Sequence, residues 1–301
     1  MAKGYFINKV LATTVVGSYP VVKGGGLRSL LDPLHSAVET AVSDQILAGI
    51  DIISDGQVRG DMIQAFSSHL AGIKGQEVIG KVQPASGPIT TSDTKYAIGK
   101  APKVKGIITG PTTLAHGLHL ATPMYRNKDE LALDLAAALV VEARSLEAAG
   151  VTLIQIDEPI LSTGVADLAV AKQAIDLITA SLRVPTCMHV CGNLADVIDG
   201  ILKFNVNVLD FEFSKNPKNL ELFTSRDLAG RMIGYGCVDS STDAVESIPE
   251  IKTRIERGVE VFGPRTMLID PDCGMRMRTR EAAFWKLKNM CEAAKEVRLS
   301  L

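Results

Sequence analysis

The sequence predicts an α/β fold, a (β/α)8 TIM barrel with an inserted hairpin or loop after the second strand. Three observations carry that expectation. Eight short apolar, β-branched runs alternate with segments of helical period along most of the chain. The runs are apolar throughout rather than alternating, as strands of a parallel sheet covered on both faces are. No Gly-x-Gly-x-x-Gly follows the first run, which speaks against a dinucleotide-binding open sheet. A length of 301 residues suits one such barrel, of ~250 residues plus decorations, so 1–301 reads as a single catalytic domain.

In chain order the predicted strands are 13–17, 51–54, 105–109, 152–156, 185–190, 206–211, 231–236 and 265–269. Helical pattern covers 34–48, 128–149, 167–182, 194–203, 217–229, 246–262 and 279–297. The clearest helix is 128–149, where Leu131, Leu135, Ala138, Leu139 and Leu146 fall near one face and Gly150 supplies the stop. Segment 74–104, rich in Gly, Pro, Ser, Thr and Lys, breaks the alternation and reads as the insertion. Gly24, Gly25 and Gly26 mark a flexible early loop.

Composition narrows the function. Hydrophobic residues make up 46% of the chain and aromatic residues 5%, so the core is aliphatic. With 32 basic and 34 acidic residues the net charge is −2, without the basic excess of a nucleic-acid partner. No apolar run reaches the ~18 residues of a membrane span, and the start lacks a signal-peptide layout; a cytoplasmic setting is expected. Five cysteines, all between 187 and 291, suit thiols or metal ligands better than a disulfide framework.

Barrels of this class place reacting groups where strands end. Here the polar residues gather there: Ser18, Asp55 to Asp61, Asp157-Glu158-Pro159, His189-Val190-Cys191, Glu212, Asp239 and Asp270 to Cys273. His189 and Cys191 are an i, i+2 pair and share one strand face. With Glu212 after the sixth strand and Cys273 after the eighth they compose a His-Cys-Glu-Cys set suited to zinc, thiolate being soft and imidazole borderline. Taken singly, each cysteine reads as a small buried residue and His189 as a core histidine; Glu212 has the least support from spacing. Two thiolates make the metal less electrophilic than three imidazoles would. The site then favours keeping a bound substrate thiol deprotonated and nucleophilic over hydrolysis, and so S-alkylation.

Thr13-Thr14-Val15-Val16-Gly17-Ser18-Tyr19-Pro20, Ile156-Asp157-Glu158-Pro159, His189-Val190-Cys191, Gly234-Tyr235-Gly236 and Asp270-Pro271-Asp272-Cys273-Gly274 occur in that order. Together they resemble the C-terminal catalytic barrel of the cobalamin-independent methionine synthase family, over nearly the whole chain. In length, and in Asp55-Gly56-Gln57-Val58-Arg59-Gly60-Asp61-Met62, the chain is similar to the short archaeal-type members without the N-terminal barrel. The resemblance implies that His189, Cys191, Glu212 and Cys273 are zinc ligands. It implies that the backbone at Gly17-Ser18 lies near the carboxylate of homocysteine and that Asp157 holds its ammonium. The product would be methionine.

Three departures from the full-size pattern bear on mechanism. Gln57 stands where the full-size enzyme has a glutamate for the ammonium. His116 stands where a tryptophan lies against the folate ring, and Ser241 where a histidine serves as acid. A methylated folate needs a proton on its nitrogen before it leaves, whereas a methylcorrinoid does not. The last two departures therefore imply a methylcorrinoid donor, either methylcobalamin or a corrinoid protein. His116 or Asp239 taking over both tasks would return the donor to the methyltetrahydrofolate type. A different thiol such as coenzyme M, or a non-catalytic zinc-binding sensor, are the remaining readings. Asp270 and Asp272 are expected to orient the Cys273 loop through backbone hydrogen bonds, and Asp239 to support the site. Cys187, Cys237 and Cys291 read as structural, and Arg276, Arg278 and Arg280 as a solvated helix start or a docking patch for an acidic donor protein.

Overall fold

A computed structural model describes residues 7–22, 24 and 32–301. Gly25 and Gly26 of the predicted early loop, and the first six residues, lie outside the described residues. In chain order the strands are β1 (Ala12–Thr13), β2 (Ala71–Lys74), β3 (Glu77–Gln83), β4 (Lys105–Thr109), β5 (His119–Leu120), β6 (Leu153–Asp157), β7 (Thr186–Val190), β8 (Val208–Glu212), β9 (Met232–Val238) and β10 (Met267–Pro271). The chain forms two compact units, one of residues 1–58, 96–104 and 208–301, the other of 59–95 and 105–207.

In the first unit β1, β10, β9 and β8 lie side by side, all parallel. Their residues are buried throughout, which is why they read as uninterrupted apolar runs. Helix Ile248–Phe262 starts in a capping box in which Ser247 and Glu250 exchange bonds. Helix Arg280–Ser300 starts at Thr279, whose hydroxyl accepts the Ala282 N–H. Phe213, Phe223, Tyr235 and Phe262 form an aromatic cluster, with Phe213 stacked on Tyr235 at 4.7 Å between centroids.

The expected strand 51–54 is present only as single parallel bridges, Thr14 with Ile52 and Ile53 with Val104. Side chains displace the ladder there. The Thr13 N–H goes to the Asp51 carboxylate at 2.9 Å, and the Gln45 amide takes both the N–H and the C=O of Ser54. The expected strand 13–17 is present as β1 and the bridge at Thr14.

In the second unit β4, β6 and β7 are parallel neighbours, and β2, β3 and β5 make a separate small sheet in which β2 and β3 are antiparallel. Segment 74–104 holds β3 and a helix, Thr91–Ile98, that its polar composition did not suggest. The Glu142 carboxylate explains it by taking the N–H groups of Ile89 and Thr90 just ahead of the first turn. Helix Lys128–Ala149 has the predicted bounds, from the Asn127 cap to Gly150 in the left-handed conformation. Of the predicted helices 194–203 and 217–229 only Ile198–Ile201 and Lys218–Glu221 form. Asn193 and Asp227 accept the N–H two residues on, and Ala229 and Gly230 have positive φ; local turns win over helix there. Among the described residues no helix is long and apolar enough to cross a membrane.

Candidate functional site

In the second unit, strand register sets the site. Thr109 pairs with Asp157 and Asp157 with His189, so the last residues of β4 and β6 stand in one row with the next-to-last residue of β7. Asp157 is 7% exposed and its carboxylate accepts the Gln155 amide at 2.7 Å. His189 is buried, and Cys191, two residues on, is half-buried. Gly192 then turns the chain with φ of +104°, and a Cβ there would meet the Ser162 hydroxyl at 2.6 Å.

Glu158, beside Asp157, is wholly buried and was not singled out in the sequence. One of its oxygens accepts the Thr112 N–H at 2.9 Å, the other the Thr113 N–H and hydroxyl, each at 2.7 Å. It thereby caps the helix Pro111–Gly117, whose last turn carries His116. Burial pushes its carboxyl up to about 7, with the Thr113 and Thr112 bonds pulling the other way. Gly110 makes room, since a Cβ would lie 2.2 Å from the Glu158 carboxyl carbon. His116 is held below its ordinary range by burial and by the Lys128 charge.

In the first unit Glu212 and Asp270 lie on strands, and the other predicted groups lie on loops. Glu212 closes β8 and takes the Asn216 amide, while the Asn219 amide donates to its main-chain carbonyl at 2.9 Å. Asp272 was expected to brace its own loop; it braces a different one. Its carboxylate accepts the N–H groups of Phe213, Ser214 and Lys215 at 3.1, 2.9 and 2.7 Å, the three residues after Glu212. Burial pushes this carboxyl up to about 8 against those three donors, and the Glu212 charge adds to the rise. One side chain thus ties the segment behind Glu212 to the residue before Cys273. Asp270 is buried on β10.

The Cys273 loop also reaches the segments predicted to bind an amino acid. The Met275 N–H donates to the Ser18 carbonyl at 2.7 Å, and Gly274 lies against the Ser18 hydroxyl where a Cβ would collide at 2.0 Å. Gly17, Ser18, Cys273, Gly274 and Met275 line a small pocket. Gln57 holds a left-handed backbone, φ of +44°, uncommon for a non-glycine residue. Asp55 accepts its N–H at 2.9 Å and Arg276 donates to its carbonyl at 2.8 Å.

The arginine run makes contacts within the fold, while Arg280 at the helix start remains exposed. Arg276 clamps Gln57 and Val58, Arg278 faces Asp243, and Arg280 grips Asp44 with two bonds of 2.8 and 2.9 Å. Asp239 is braced from behind by Glu246, which accepts its N–H and pairs with the fully buried Lys286 at 2.7 Å. Burial raises the Asp239 carboxyl, but the Ser241 hydrogen bonds and the Lys286 charge outweigh it and hold the group below the usual carboxylate range. Burial drives Cys237 well up and Cys291 to about 12, so both remain thiols, as a structural role requires.

A family model described as "Cobalamin-independent synthase, Catalytic domain" matches residues 11–296. The chain belongs to that family. It is 44% identical to the methionine synthase of Methanocaldococcus jannaschii, over 96% of this chain and 100% of that protein. It is also 44% identical to the methionine synthase of Methanothermobacter marburgensis, over 95% and 100%. Among solved structures, a B12-independent methionine synthase from Shewanella sp. W3-18-1 in complex with selenomethionine is similar, with a TM-score of 0.84 and 23% identity over 97% of this chain and 100% of that one. That likeness concerns the fold. As a family member the chain is an enzyme of the methyltransferase class. The family is described as cobalamin-independent, which speaks against the expected methylcobalamin or corrinoid-protein donor. That expectation rested on positions 116 and 241 alone, whereas a proton for a leaving amine can come from any acid within reach.

Proposed function

We propose that this protein converts homocysteine to methionine on one zinc ion held by His189, Cys191, Glu212 and Cys273, within a single (β/α)8 catalytic domain spanning 1–301. The donor set carries the reading: His189 and Cys191 stand together at the end of β7, and Cys273 follows β10, in a chain of this family. Glu212 is the fourth ligand. One imidazole, two thiolates and a carboxylate match the preferences of zinc. When bound, zinc lowers the pKa of the substrate thiol, so that the sulfur is a thiolate near neutral pH.

The chain's own residues do the rest. Asp157, buried at the end of β6, pairs with the substrate ammonium. The Gly17-Ser18 backbone, fixed by the Met275 N–H and by the Ser54 hydroxyl donating to the Gly17 carbonyl at 3.0 Å, lies by the carboxylate. Gln57, clamped by Arg276, borders the amino group. Burial of Asp157, His189 and Glu212 keeps water away and strengthens each of these pairings. Asp157 argues for an amino-acid thiol over coenzyme M, which has no ammonium to offer it.

The methyl donor in this proposal is of the methyltetrahydrofolate type, supported by the cobalamin-independent description of the family. A second reading, a methylcorrinoid, draws on one observation: Asp239 is held as a carboxylate and His116 is shifted toward its neutral form, so neither is set up as an acid. Zinc-loaded protein supplied with homocysteine and either methyltetrahydrofolate or methylcobalamin separates the two. Methionine from the folate is expected; methionine from methylcobalamin alone overturns the donor, and from neither overturns the activity.

A further inference from the structure

We infer that Lys105 is a positioning residue for the substrate's amino group, acting through Gln155 on Asp157. The inference rests on the proposed role of Asp157 as the partner of that amino group. Lys105 opens β4 and is 2% exposed, a rare place for a lysine without a task. An apolar side chain there would carry no desolvation cost. Its Nζ donates to Oε1 of Gln155 at 2.5 Å, and Nε2 of Gln155, itself fully buried, donates to Oδ1 of Asp157 at 2.7 Å.

The direction of this relay follows from donor chemistry. A primary amide presents an acceptor at one end and donors at the other, and unaided it can sit either way round. An ammonium has donors only, so Lys105 forces the amide oxygen toward itself and the NH2 group toward Asp157. Asp157 then always meets a donor. The reversed amide would set an oxygen against its carboxylate. Gln155 and Asp157 are two apart on β6 and share a strand face, and the register sets Lys105 beside Leu153 and Thr109 beside Asp157. The relay thus runs from the start of the strands to the end where the substrate is held, and fixes the orientation of the one carboxylate that reads the amine.

Calorimetry on zinc-loaded protein tests this, with homocysteine and its deaminated counterpart 4-mercaptobutanoate as ligands. Wild type prefers homocysteine. Lys105→Met, of matching length without the ammonium, narrows that preference by about tenfold, the worth of one charge-assisted hydrogen bond. The affinity for 4-mercaptobutanoate and the zinc content stay unchanged. General loosening of the fold would weaken both ligands together, so the ratio isolates the relay. Gln155→Met gives the same narrowing and carries the test if Lys105→Met does not fold. A wild type indifferent to the amine overturns the role of Asp157 itself. A wild type that prefers the amine, with variants that keep the full preference, overturns the role of Lys105 alone.

Discussion

At the ends of β4, β6 and β7 the functional side chains stand on the strands themselves, with Thr109, Asp157 and His189 in one register row. In the first unit most of them stand in loops past the strands, although Glu212 is still the last residue of β8, and these segments are held by side chains from elsewhere: Asp272 under residues 213–215, Arg276 under Gln57, Glu246 behind Asp239. A strand position is inherited from many backbone bonds, so one substitution seldom moves it. A loop position hangs on one or two side chains. The loop-borne groups of the first unit are therefore the more fragile in function.

The largest effect that would break this comparison is at Asp272. Asp272→Ala leaves the Lys215 amide without its acceptor and removes one of two from Phe213 and Ser214, which keep the Gly236 carbonyl, and zinc affinity falls by roughly 10- to 100-fold as Glu212 and Cys273 lose their common brace. Stability drops by about 1 to 2 kcal/mol. Competition with a zinc-binding dye and urea unfolding read the two losses; an unchanged zinc affinity would put the loops on a par with the strands.

Next comes Glu158, whose carboxyl moves from 4.5 to about 7 on folding. A raised carboxyl stabilises the fold fully below its unfolded value, and that contribution is lost as pH rises through the folded one. Relative to Glu158→Gln, wild type should lose on the order of 2 kcal/mol between pH 4.5 and 7 and little above. Urea midpoints across that range check the slope, and parallel curves for the two proteins would contradict it.

Arg276→Met should raise the dissociation constant for homocysteine about fivefold, as the Gln57 turn loosens, with zinc content intact. The smallest effect is at Asp167, the cap of helix Leu168–Thr179, which accepts the Ala169 N–H at 2.8 Å. Asp167→Ala costs about 1 kcal/mol in thermal or urea unfolding and leaves both zinc and homocysteine binding unchanged.

Legibility in the sequence follows the same division. His189-Val190-Cys191 and Ile156-Asp157-Glu158-Pro159 are contiguous, and their strands are apolar runs flanked by breakers, so both motif and placement could be read from neighbours. The strand at 105–109 and the helix at 128–149 have their predicted bounds for that reason. The braces could not be read. Arg276 and Gln57 are 219 positions apart, and Asp272 lies 57 to 59 positions from the amides it binds. A carboxylate that bonds backbone leaves no pattern at the receiving end, since any residue type has an N–H. The strand at 51–54 dissolved into bridges because Gln45 and Asp51 compete for its backbone, a contest that apolar periodicity does not register. Glu158 was hidden by its neighbour Asp157, although a buried acid preceding a proline was a visible signal.

At the centre of the proposed chemistry, zinc held by two cysteines takes the substrate sulfur. X-ray absorption at the zinc edge, on zinc-loaded protein before and after homocysteine is added, tests it most directly. Two sulfur neighbours at about 2.3 Å are expected in the resting protein and three with homocysteine bound. An unchanged sulfur count, or a chain that takes up no zinc, would contradict it.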